Sequence, residues 1–144
     1  MPRISPARIA EYAAMAGFRG AELQMATAVA LAESRGDTDA HNVTSREDSR
    51  GLMQINVRPG AHPEYANANL YDPLTNMRAA FAIKQKRGWR EWSTYPLRAA
   101  AYLPIAAAAM ATDGVRDIVA GKVSAADVGK AAGDVASGDR KSVV

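Results

Sequence analysis

Apolar residues recur at helical spacing over most of this chain. After Ser5 and Pro6, a capping side chain followed by a first-turn proline, Ile9, Tyr12, Ala13 and Ala16 fall three or four residues apart until Gly17 interrupts them. The pattern predicts a short opening helix. From Ala21 to about Ser34 two apolar stripes run side by side. Leu23, Ala26, Ala30 and Leu31 form one face and Met25, Val29 and Ala32 another, so this helix is expected at the centre of the domain. Gly36 supplies its stop. The segment DTDAHNVTSREDSR shows no periodicity and reads as a polar loop long enough to carry function. GLMQIN, Gly51 to Asn56, is a brief apolar burst, either a strand or the first turn of a short helix; periodicity does not choose over so few residues.

A second loop, VRPGAHPEYANANLY, leads to Asp72 and Pro73, again a cap and a first-turn proline. Leu74, Met77, Ala80, Phe81 and Lys84 continue at helical spacing, and Gly88 ends the series. An aromatic turn around Trp89 and Trp92 then opens an alanine-rich helix that Pro104 either kinks or restarts. Past Gly114 the pattern weakens, although Ser124 can cap one more helix before a small-residue, polar end. No internal repeat is visible. The organisation predicted is one domain over residues 1–120 and a helical or partly disordered extension over 121–144.

Composition supports a single helical core. The chain has 144 residues, 48% hydrophobic and only 6% aromatic, with many alanines, which suits closely packed helices better than a sandwich of strands. The absence of cysteine excludes disulfides, thiolate zinc sites and a cysteine nucleophile. A net charge of +3 favours an anionic partner: nucleic acid, acidic lipid or a carboxylate-rich wall polymer. Zinc spacing and an aromatic-basic sheet motif are both lacking, so nucleic acid is set aside. No apolar run approaches a membrane span, and Arg8 and Glu11 interrupt the N-terminal pattern where a secretory signal would be continuous. Lys84, Lys86, Arg87, Arg90 and Arg98 gather near the end of the third helix, where cations suit the dipole and also attract acidic polymers.

Glu33 is the residue that stands out chemically. It ends an apolar helix, where the partial negative charge of the last carbonyls and the loss of water both raise a carboxyl pKa. Such a group is prepared as a general acid; the plain alternative is an exposed glutamate paired with Arg35 or Arg46.

Glu33-Ser34, then SRGLMQIN, then DPLTNMRAAFAI, then AAAY occur in that order. Together they resemble the lytic transglycosylase and goose-type lysozyme family, glycoside hydrolase family 23 in its broad sense, and especially its short bacteriophage-borne forms. The resemblance runs from about Ala21 to Tyr102. It implies a mainly α, lysozyme-like fold with a central buried helix and at most a minimal β element. It makes Glu33 the catalytic acid and base, and Gly51, Leu52, Met53 and Gln54 a lining of the glycan cleft. Asp72, Pro73 and Asn76 open the helix behind that cleft. Ala101 and Tyr102 fit the family's Ala-Tyr-Asn motif, with Leu103 where asparagine is usual.

The substrate implied is peptidoglycan, cut between N-acetylmuramic acid and N-acetylglucosamine by a lytic transglycosylase or lysozyme without a cofactor. A second carboxylate would favour hydrolysis, and Asp37, Asp39 and Asp48 are the candidates, Asp48 lying nearest GLMQIN. Gln54 and Asn56 offer amides suited to sugar groups; Ser34 or Ser49 is placed to orient Glu33, and Tyr95 and Tyr102 to border the cleft. Trp89 and Trp92 read as packing. His41 and His62 lie in polar loops, and DTDAH lacks the ligand set of a calcium loop, so no metal is expected. A phage virion or a host cell wall or periplasm is the location that the resemblance implies, with the domain one part of a larger phage tail or lysin protein. The rival reading is a phage-tail module that grips peptidoglycan without cutting it.

Overall fold

The computed structural model describes residues 2–123. The helix expected from Ser124, and with it nearly all of the 121–144 extension, lies outside the described residues. Helix α1, Pro6–Ala16, begins where Ser5 Oγ accepts the Arg8 amide at 3.1 Å, and Gly17 closes it at φ 121°. Helix α2, Gly20–Ser34, is apolar on both faces and buries Ala26, Ala28, Val29 and Ala30 completely. Its end differs from the expectation. The left-handed residue is Arg35, at φ 55°, whose amide donates to Leu31 O, while Gly36 is needed because a Cβ there would stand 2.5 Å from Ile4 O.

Helix α1 is more than an opening segment. It packs against α2 and against three helices introduced below, and everything from Arg8 to Ala14 is buried. The charged pair within it, Arg8 and Glu11 one turn apart, forms an ion pair inside the core. Centrality is therefore shared between α1 and α2.

The segment expected to be a loop before Gly51 forms a hairpin. Strands β1, His41–Val43, and β2, Asp48–Arg50, pair antiparallel with His41 opposite Arg50 and Val43 opposite Asp48. A third strand, β3, Ile55–Asn56, adds to β2 with Ser49 opposite Asn56. All three residues of β1 are exposed, so no alternation of polar and apolar positions announces it. The GLMQ stretch is the tight turn between β2 and β3.

A 3-10 turn at Pro63–Tyr65 precedes α3, Pro73–Arg87, whose cap Asp72 accepts the Thr75 amide at 2.9 Å. Another at Trp89–Glu91 leads to the short α4, Leu97–Ala100. Pro104 sits in the first turn of α5, Leu103–Met110, so it restarts the helix instead of kinking it. Helix α6, Asp113–Val119, forms where the apolar spacing weakens; its Val115 and Ile118 are buried, and α3, α5 and α6 all pack against α1. The whole is mainly helical with one small three-stranded sheet. Among the described residues no helix is long and apolar enough to cross a membrane.

Candidate active site

Glu33 occupies the last turn of α2 and is half-buried. The rigid alanine-rich helix carries it to the far side of the core, where the stretch after α3 meets it. Trp92 fixes that stretch: its ring is 4% exposed and its indole N–H donates to Met53 O at 2.9 Å. Two residues on, Thr94 is buried and its hydroxyl donates to Glu33 Oε2 at 2.9 Å. The Thr94 carbonyl accepts the Ala99 amide at 2.8 Å, so the same residue anchors the start of α4.

Burial pushes the Glu33 carboxyl above the usual carboxylate range. The Thr94 hydroxyl opposes this; the charge of Glu47 adds to the rise, and Arg98 and the Thr94 amide oppose it further without cancelling it. Neither Arg35 nor Arg46 pairs with Glu33; both side chains belong to exposed residues.

Asp48 sits in the opposite environment. It accepts from His41 Nε2 at 2.7 Å and from Arg50 Nε and Nη2 at 3.1 and 3.0 Å, and these partners lower its pKa to about 2. It is committed to the hairpin. The neighbouring Glu47, at the hairpin tip where Thr44 N donates to Glu47 O at 2.8 Å, is the acidic group whose charge reaches Glu33. Asp37 is buried and accepts the Asp39 amide at 2.9 Å, while Asp39 is exposed.

The expected sugar-binding residues are mostly occupied by the fold. Ser34 Oγ donates to Ala30 O and accepts from Gly36 N, which makes it a clasp on the end of α2. Gln54, at φ 51°, accepts from Asn42 and donates to Ala40 O and Gly51 O. Asn56 accepts from the Asp48 and Arg58 amides. Ser49 is buried in β2. Tyr95 is half-buried, its ring stacked 6.3 Å from Trp89, which itself stacks on Phe18 at 5.6 Å. Tyr102 is half-buried against the core between α4 and α5, the helices that pack on α2. Trp89 donates to Glu22, so both tryptophans serve packing.

A cavity of about 210 Å³ is walled by Gln54, Asn56, His62, Arg87, Glu91 and Trp92, with His62 Nε2 3.1 Å from Glu91 Oε1. Of the basic residues near the end of α3, Lys84 pairs with Glu22 at 2.6 Å; Lys86, Arg87, Arg90 and Arg98 are exposed.

Sequence reasoning missed Thr94 and Glu47. The first is a small hydroxyl 61 residues from its partner, marked only by its place between Trp92 and Tyr95; the second lay in a hairpin that the pattern did not reveal.

No curated protein and no solved structure matches the chain. A family model described as Lysozyme like domain matches residues 10–94, from within α1 through the Glu33 helix, the hairpin and α3 to Thr94. That span is more than half of the 144 residues. With a mainly helical body, a small sheet and a desolvated glutamate ending a buried helix, this chain belongs to the lysozyme-like domain family.

Proposed function

We propose that this chain cleaves peptidoglycan at the bond between N-acetylmuramic acid and N-acetylglucosamine, with Glu33 as both acid and base. The observation that carries the reading is the half-buried Glu33 carboxyl, desolvated at the end of α2 and gripped by Thr94. A carboxyl whose pKa is raised holds its proton to higher pH and can deliver it to the poorly basic glycosidic oxygen. As that oxygen takes the proton, the bond from the muramoyl C1 breaks and the charge on the sugar spreads over C1 and the ring oxygen. Glu33, now a carboxylate, takes a proton from the nucleophile. If this is the muramoyl hydroxymethyl oxygen, the product is an anhydro sugar and no water is consumed. If it is water, the product is a reducing end.

Asp48 is bound to His41 and Arg50, which favours the single-carboxylate reaction and hence the lytic transglycosylase. The exposed basic residues around the end of α3 suit an acidic wall. The order of motifs resembles the bacteriophage-borne members of this family, so the domain is read as part of a phage lysin or tail protein acting at the host wall.

Clearing of a purified cell-wall suspension tests the reading. Glu33→Gln is expected to abolish clearing, a loss of at least 100-fold, with helicity and wall binding intact. Clearing by this variant at the parent rate overturns the assignment. Loss of wall binding by the folded parent excludes peptidoglycan as its partner. Masses of the released fragments then separate anhydro from reducing ends.

A further inference from the structure

We infer that Thr94 is a positioning residue for the reaction: its hydroxyl holds the Glu33 carboxyl by Oε2, leaving the transferable proton to Oε1 and steadying the carboxylate formed once the proton has gone. The inference rests on the reading of Glu33 as the acid.

The geometry is specific. The bond is 2.9 Å long and links the end of α2 to a segment 61 residues further along the chain. Thr94 is 2% exposed, so its hydroxyl does not exchange freely with water, and its rotation is restricted by burial. The segment around it is held on both sides: two residues before, the Trp92 indole N–H donates to Met53 O, and the Thr94 carbonyl accepts from the Ala99 amide. A donor fixed this firmly selects one carboxyl oxygen. In a neutral carboxyl group the carbonyl-type oxygen is the better acceptor, so accepting at Oε2 places the hydrogen on Oε1. After transfer the same hydroxyl becomes a charge-assisted donor, stronger than before.

The charged groups facing Glu33 divide around this bond. Glu47, from the hairpin tip, disfavours the carboxylate, and Arg98, from α4, favours it. Thr94 is the one that contacts the carboxyl itself by a side-chain hydrogen bond within the described residues.

Two variants and two readouts test this. Thr94→Val keeps the volume and removes the donor; Thr94→Ser keeps the donor. The pH titration of the Glu33 carboxyl carbon, followed by NMR in labelled protein, is expected to move upward in Thr94→Val and to stay near the parent in Thr94→Ser. Wall clearing is expected to fall about 10- to 100-fold in kcat in Thr94→Val with little change in KM, the high-pH limb moving upward, and to recover in Thr94→Ser. If Thr94→Val loses helicity, Thr94→Ala serves the same comparison. A Glu33 titration unchanged by loss of the hydroxyl overturns the inference, whether or not walls are cleared. Failure of the parent to clear walls overturns the glycosidase reading instead, so the two failures are distinguishable.

Discussion

Glu33 and Asp48 carry the same functional group and behave oppositely, which is the clearest lesson at the scale of single residues. Asp48 accepts hydrogen bonds from Arg50 and His41 that hold it ionised, with a pKa of about 2. Glu33 is desolvated and faces Glu47, so its folded-state pKa rises above the ordinary 4.5. The linkage has a definite sign. A raised carboxyl pKa gives stability that is complete below pH 4.5 and is lost as pH climbs through the folded value, so the parent is less stable at pH 7 than at pH 4 on this account. Glu33→Gln cannot ionise and keeps an acceptor for Thr94. It is therefore expected to melt about 2–5 °C above the parent at pH 7 and level with it at pH 4, as thermal scans at both pH values would read. A gap of equal size at both pH values would contradict the desolvation argument. The desolvation of Glu33 was legible in the sequence from an apolar helix and a position in its final turn, whereas the charge of Glu47 that adds to the rise in its pKa was not. The partner Thr94 was not legible either, because tertiary packing brings it from 61 residues away.

At the scale of elements, Asn76 explains why a strand, a turn and a helix meet in one register. It is fully buried on α3, accepts the Met53 amide at 2.8 Å, and donates to Arg50 O and Leu70 O at 2.8 and 2.9 Å. Gly51, at φ 75°, lies so close that a Cβ would run into Leu70 O and the Asn76 amide. This is the physical content of Asp-Pro-x-x-Asn and of the glycine opening GLMQ: one is a staple and the other makes room for it. Asn76→Leu preserves bulk and strands three backbone groups, so it is expected to cost about 3 kcal/mol in urea unfolding. A cost below about 1 kcal/mol would mean that the turn re-forms without the amide. The helices with caps, first-turn prolines and apolar spacing were readable to within about a residue, as Ser5 and Asp72 illustrate. The hairpin was not, since an exposed strand leaves no hydrophobic alternation. Nor was α6, a short helix that draws its burial from α1 and not from a stripe of its own.

At the scale of the molecule, α1 holds the bundle together. It meets α2, α3, α5 and α6, and its Arg8 and Glu11 form their ion pair with side chains 1% and 4% exposed. Gly114 lets α6 close onto that pair, because a Cβ there would strike the Glu11 carboxylate. Arg8→Met removes one charge and leaves the other in the core. It is expected to cost about 3–5 kcal/mol in denaturant unfolding, whereas replacing both residues with apolar side chains of similar volume should be much closer to neutral. In the sequence Arg8 and Glu11 read only as interruptions of an apolar pattern, with nothing to mark them as partners inside the core.

The buried alanines of α1 and α2 bear on how firmly Glu33 is carried. Ala10, Ala13, Ala14, Ala26, Ala28 and Ala30 are at most 1% exposed, and alanine has no rotamers with which to yield. The helix bearing Glu33 is thus closely packed, with little side-chain freedom to give way. On the reading proposed for Glu33, such a support holds the carboxyl in one place as a glycan strand arrives.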